Sequence, residues 1–187
     1  SAINANRETF RERDVVRAHG IITHGGDAVS AVPARTTLEW RVRSSSLDVL
    51  AENSAKVDRC FKAGALAVGA KVQITTIPGY MPLRNNPTMQ ELFHGNAVDV
   101  VGKSNIRVRS PRHNSGGSTD MGDLSQLLPL IHPYAGGVTG TGHGADYLVQ
   151  DYEQAVINPA KAMAMTVIDL LANGAAGAKE VVEKAER

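Results

Sequence analysis

Between residues 36 and 61 the apolar period of the chain changes from about 2 to about 3.6, and that change restricts the fold more than any other feature. In Thr36 to Arg43, Leu38, Trp40 and Val42 share one face while Glu39, Arg41 and Arg43 share the other. That alternation predicts a half-buried antiparallel strand. After Ser46, a candidate N-cap, Leu47, Leu50, Ser54, Val57 and Phe61 recur at three- and four-residue spacing up to Gly64 or Gly69. This predicts an amphipathic helix. An element with one apolar face must bury it, so the pair predicts a sheet covered by helices, in the α/β (α+β) class.

The neighbouring segments extend this pattern. Ile3, Phe10 and Val15 form a thin stripe that predicts a surface helix from Ser1 to about Val16. His19 to Thr23 reads as a strand ending at Gly25 and Gly26, and Val72, Ile74 and Thr76 alternate in a third strand before Pro78 and Gly79. Helix, strand, strand, helix, strand is the order of a split ferredoxin-like plait without its first strand. Pro78 to Pro87 holds three prolines and paired asparagines, which places a boundary between units at residue 78 or 79. Asn86 and Pro87 then form a helix start signal, followed by Met89, Leu92, Phe93, Ala97 and Val100 up to Gly102. Asn158 and Pro159 repeat the signal before a helix that should stop at Asn173 and Gly174, with a charged helix after it. Between these helices lie a basic extended stretch (Ile106 to Arg109), a glycine-rich turn (Ser115 to Gly122), an apolar run (Leu127 to Ile131) and a long loop (His132 to Tyr147).

Composition narrows the function classes. Twenty basic against nineteen acidic residues leave a net charge of +1, so no basic field recommends a nucleic-acid partner. The apolar runs are broken short of the roughly 20 residues that span a bilayer, so no membrane partner is expected. A single cysteine, Cys60, cannot form an internal disulfide and fits a reducing compartment, for which the cytoplasm is the expectation. Cys60 lacks a sequence-local base or cation and reads as a buried structural thiol. The chain starts at Ser1 rather than at methionine, which reads as a processed or cut end.

Few residues offer chemistry. The six histidines, at 19, 24, 94, 113, 132 and 143, include no pair at the spacing by which one helix face grips a metal. His132 and His143 lie in the long loop, which carries five glycines. Each could hydrogen-bond to loop backbone, or approach a ligand from another element. In Gly116 to Gly122, glycine amides with the hydroxyls of Ser118 and Thr119 suit a carboxylate, although a turn in which Asp120 caps a short helix uses the same residues. Arg41 and Arg43, on the polar strand face, are either solvated or able to hold a carboxylate through two hydrogen bonds. Ser118 lacks the Gly-x-Ser-x-Gly elbow of a hydrolase serine.

Several segments taken together resemble a family. They are His19 to Thr23, Trp40 to Arg43, Gly79 to Leu83 with Asn86-Pro87, Gly117 to Gly122, Ile131 to Tyr134 and Ala162 to Thr166. In order and spacing these resemble the di-zinc peptidases and amidohydrolases of peptidase family M-twenty, of the aminoacylase, carboxypeptidase G, p-aminobenzoyl-glutamate hydrolase and β-alanyl-dipeptidase type. The likeness runs from about Ala2 to Leu171. It implies that residues 1–78 are a lid and dimerisation plait, incomplete at its start, and that residues 79–187 are the C-terminal part of a zinc-binding catalytic domain.

The resemblance further implies that His143 is the last metal ligand, that Gly117, Ser118 and Thr119 bind the substrate's carboxylate, and that Arg43 reaches the same group from the lid. Two zinc ions, a small carboxylate-bearing dipeptide or N-acyl amino acid and a homodimer follow as expectations for the complete enzyme. Departures accompany the matches. Gly144 follows His143 where Thr or Ser is common, and Ser30 stands where the lid usually has Asn. The sequence has no His-x-Asp and no Glu-Glu, the motifs that supply the remaining ligands and the general base. By itself, then, the chain is expected to be an inert lid, dimerisation or carboxylate-binding fragment.

Overall fold

A computed structural model describes residues 1–108 and 118–185 of the chain. The fold is α+β: helices with, among the described residues, two small antiparallel sheets. Among the described residues it divides into two compact units, the first built on Ser1–Pro82 with Ser118 and the second on residues 83–108 and 119–185.

The first unit is a hairpin covered by helices. Strands β1 (Arg17–His24) and β2 (Thr37–Arg43) pair antiparallel, with Ala18 opposite Val42 and Gly20 opposite Trp40. The face carrying these four residues meets α1 (Ala2–Asn6) and α2 (Leu47–Ala67), so that Ile3, Ala18, Val57 and Cys60 form the core with Phe10, Trp40, Val42 and Phe61 against it. Trp40 and Phe61 meet edge to face, 5.5 Å between ring centres. Ser46 occupies the N-cap position with extended backbone, yet its side chain caps nothing. Cys60 is buried, as its reading as a structural thiol requires, and its Sγ accepts a 3.3 Å bond from Asn6 Nδ2.

Two segments depart from expectation. The stretch expected as one helix from Ser1 to Val16 breaks after Asn6 into single 3₁₀ turns at Arg7–Thr9 and Glu12–Asp14. Its polar side chains bond locally, Thr9 Oγ1 to Asn6 O at 2.8 Å and Arg11 Nε to Asp14 Oδ2 at 2.5 Å. The Asp14 carbonyl also receives Ser45 N and Ser44 Oγ, each at 3.1 Å. These bonds outcompete helix propagation. The third strand, Val72 to Thr76, is not formed: the segment carries no ladder, and the first sheet has two strands. Alternation alone does not make a strand, because its backbone groups need a partner, and no strand among the described residues pairs with this segment.

In α2, a β-carbon added to Gly64 would meet nothing within 4 Å. Gly64→Ala is therefore expected to stabilise the first unit by about 0.5–1 kcal/mol through helix propensity, read as a higher urea midpoint. The same helix carries the Lys56–Glu52 ion pair at 2.9 Å, whose hydrogen bond, with the charge of Lys56, holds the Glu52 carboxyl below its usual range. A depressed carboxyl pKa contributes stability above the unfolded-state value and loses it as pH falls through the folded value. Glu52 is exposed and Lys56 half-buried, so the effect should be small and weaken with salt. ¹³C NMR titration of Glu52 should show the depressed midpoint, which Lys56→Met should return toward the usual range.

The second unit rests on two helices, α3 (Pro87–Val101) and α5 (Asn158–Ala185). The start signal of α3 works as its residues require: Asn86 Oδ1 accepts Met89 N at 3.0 Å, Pro87 sits in the first turn, and Gly102 ends the helix at φ +81°. A π-helical turn, Glu153–Ile157, leads into α5. The helix breaks where Asn173 and Gly174 predict a stop, with Asn173, Gly174 and Ala175 all at positive φ, and then resumes. A β-carbon on Gly177 would lie 2.7 Å from the Asp169 carbonyl oxygen, so the last segment returns closely over α5. By length and hydropathy Glu153–Ala185 could cross a bilayer. Its break, and the bond that Asp169 accepts from Asn96 on α3 at 2.7 Å, are the features of a helix packed on another helix.

Candidate functional site

Four of the five expected site residues lie within the described chain; Gly117 lies outside it. Arg43 ends β2 in the first unit, half-buried and opposite Arg17 in the ladder. Ser118 is exposed and Thr119 half-buried, directly before α4 (Met121–Leu124).

The turn into α4 is held by Thr119 rather than by Asp120. Thr119 Oγ1 accepts Met121 N at 3.3 Å and donates to Asp120 Oδ1 at 3.1 Å, while the Asp120 side chain makes no cap bond. Of the two hydroxyls expected to hold a carboxylate, that of Thr119 already directs its proton to Asp120. Thr119→Val is expected to destabilise the second unit by about 1 kcal/mol, the usual cost of a lost cap, with Thr119→Ser restoring it in thermal unfolding followed by circular dichroism.

Beyond α4 the chain is tied to the segment that opens α3. Ser125 Oγ accepts Arg84 N at 3.0 Å and donates to the Gly122 carbonyl at 2.6 Å. Asn85 Oδ1 accepts His132 N at 2.9 Å, and Asn86 N donates to the Leu130 carbonyl at 2.8 Å. The His132 ring lies edge to face with Tyr134, and its Nδ1 is buried without a hydrogen-bond partner among the described residues.

The long loop after His132 contains a small hairpin, β3 (Val138–Thr139) with β4 (Leu148–Val149). His143 is exposed at its tip, with φ +66°. A non-glycine residue there is uncommon. The Gly144 amide donates to Thr141 O at 2.7 Å, Tyr147 N to Gly144 O at 3.2 Å, and Thr141 N to Asp146 Oδ2 at 3.1 Å. Glycine at 144 now has a steric reason: an added β-carbon would run into Asp146 Oδ1 and lie 2.9 Å from Thr141 O.

A zinc site needs about three or four protein ligands. Among the described residues no group of three or more His, Cys, Asp or Glu side chains is placed to hold a metal ion, so His143 alone does not fit that role within this chain. Shallow grooves among the described residues include two that lack Arg43, Ser118, Thr119 and His143, although one contains Arg41. One runs between α3 and α5, lined by Glu91, Asn96, Asp99, Asp169, Glu180 and Lys184 among others; the other lies on the hairpin at His19, Glu39, Trp40 and Arg41. Sequence reasoning did not find Asn85, Asn96, Asp146 or Asp169, whose bonds join residues distant in the chain or unmarked by any motif.

No family model matches the chain. Among curated proteins it is 32% identical over 161 residues to the Xaa-Arg dipeptidase of Mus musculus, covering 83% of this chain and 37% of that protein. It is 30% identical over 174 residues to the Xaa-Arg dipeptidase of Homo sapiens, covering 89% of this chain and 40% of that protein. The chain thus spans well under half the length of the curated relatives it matches, and over most of its own length it is similar to dipeptidases, which supports the peptidase family at a coarse level.

Proposed function

We propose that these 187 residues are the lid and the C-terminal part of the catalytic domain of a metal-dependent hydrolase. Its substrates would be small dipeptides or N-acyl amino acids with a free carboxylate. The observation that carries the reading is the similarity to Xaa-Arg dipeptidases along 83–89% of the chain. In this reading Ser118, with Gly117 and Thr119, holds the substrate carboxylate, and Arg43 reaches it from the lid. His143 is one ligand of a zinc pair whose other ligands, with the general base, come from residues outside this sequence. Bound zinc would polarise the scissile carbonyl and activate water. The chain's own residues bind and orient, and a misplacement of about 1 Å can cost roughly 100-fold in rate. The complete protein would dimerise through the lid.

For the 187 residues in isolation, the reading is a catalytically inert lid and carboxylate-binding fragment, because one imidazole does not make a zinc site. The experiment measures metal content and dipeptide turnover in a longer chain that contains these residues and in the 187 residues alone. Dipeptides ending in arginine come first, then β-alanyl dipeptides and N-acyl amino acids. The longer chain should bind zinc and hydrolyse one of these classes, and the shorter should do neither. Ser118→Ala in the longer chain should raise KM about tenfold with kcat little changed, the signature of lost uniform binding. Turnover by the short chain alone, or by neither chain, would overturn the proposal.

A further inference from the structure

The tip of the β3–β4 hairpin is defined by few interactions. Its ladder joins only Val138 to Val149 and Thr139 to Leu148, with Gln150 N and Asp151 N bonded to the Gly137 carbonyl at 2.9 and 3.0 Å behind it. Two-residue strands leave the residues beyond them poorly fixed. Of the bonds that close the turn, those of Gly144 and Tyr147 run between backbone groups, and the remaining one uses a side chain: Asp146 Oδ2 receives Thr141 N at 3.1 Å. The other oxygen of that carboxylate occupies the space that a side chain on Gly144 would need. At the base of the turn, a β-carbon on Gly140, whose φ is +89°, would press into the Asp146 backbone, 2.6 Å from its carbonyl carbon. His143 therefore takes its left-handed conformation inside a turn whose two sides meet at one aspartate.

We infer that Asp146 is the positioning residue of the His143 turn: with Gly144 kept bare to admit it, its carboxylate pins Thr141 and sets where the imidazole stands. The purpose of that placement rests on the reading of His143 as a functional imidazole, but the placement itself is measurable without metal or substrate. A neutral acceptor can replace the carboxylate here, since the group it serves is one backbone N–H. A side chain at 144 must push the carboxylate away, and it also crowds the Thr141 carbonyl oxygen, 2.9 Å from an added β-carbon, so substitution at 144 disturbs the same turn through two contacts.

The test is NMR on the 187-residue chain. Asp146→Ala should speed exchange of the Thr141 amide about tenfold, the equivalent of one lost hydrogen bond, and shift the His143 ring signals and HN–Hα coupling. Gln150, bonded behind the ladder, should keep its protection. Asp146→Asn should retain parental values within about threefold, because its amide oxygen accepts the same N–H. Gly144→Ser should likewise speed Thr141 exchange and shift the His143 signals, since a side chain there displaces the Asp146 carboxylate. The inference is overturned if Asp146→Ala leaves Thr141 and His143 at parental values. It is equally overturned if Gln150 loses protection along with Thr141, or if Asp146→Asn behaves as alanine does. Failure of the hydrolase reading would leave every one of these signals in place.

Discussion

Gly20→Val is expected to destabilise the first unit by about 3 kcal/mol, the upper end for a side chain forced into space that a packed neighbour occupies. Valine in a strand interior ordinarily gains up to about 1 kcal/mol over glycine. At this position sterics oppose that gain. A β-carbon on Gly20 would lie 2.5 Å from Cγ and 2.6 Å from Cδ1 of Trp40, and would also meet the Glu39 carbonyl oxygen. The indole cannot move away freely, because it packs against the core and edge-on against Phe61. Either Trp40 leaves the helix face or β1 separates from β2. Trp40 is the only tryptophan in the chain, so its fluorescence reports the first unit by itself. For a urea slope of about 2 kcal/mol/M, the midpoint should fall by about 1.5 M. A midpoint at or above that of the parent would show that the indole does not depend on a bare residue opposite it.

Gly20 also shows what the sequence could disclose. The alternation of Leu38, Trp40 and Val42 gives the face of β2, yet nothing in it says that residue 20 lies across from Trp40; register is a property of two strands. Local signals behaved differently. Asn86 and Pro87 start a helix through bonds to residues three positions on, and Asn173 with Gly174 break one through their own backbone angles, so both were legible. Val72 to Thr76 had the pattern of a strand and lacked the partner that would make it one. At the candidate site the residue types in the Ser118 turn and at His143 could be singled out by chemistry and resemblance. Their arrangement could not: that Thr119 spends its proton on Asp120, or that Asp146 fills the space beside Gly144, follows from geometry that no spacing rule encodes. Apolar periodicity likewise says nothing about a polar residue inside an interface, and the interface between α3 and α5 turns on one.

Asn96→Ala is expected to cost the second unit about 2 kcal/mol. Asn96 is 8% exposed, and its Nδ2 donates both hydrogens across the interface, to Thr166 Oγ1 at 3.1 Å and to Asp169 Oδ2 at 2.7 Å. Thr166 is 5% exposed and passes its own proton to the Ala162 carbonyl at 2.8 Å, so the three groups form one chain of donors and acceptors. Alanine is the better helix former by about 0.6 kcal/mol, which works against the loss. The bond to a carboxylate alone contributes about 1.5–3 kcal/mol, and truncation also leaves a buried hydroxyl short of a donor and a small void. The loss should therefore exceed the propensity gain. Thermal unfolding by circular dichroism gives the total, and amide exchange along α3 locates it. Asp169 is exposed, so water replaces part of its lost bond, and Asp169→Ala alone should cost less than Asn96→Ala. In the double variant the costs should fall short of their sum by about 1 kcal/mol, since the second substitution removes a partner already lost. Strict additivity would mean that the short contact between Asn96 and Asp169 contributes nothing, and that the two helices are held by apolar burial around Ala162 and Val181 instead.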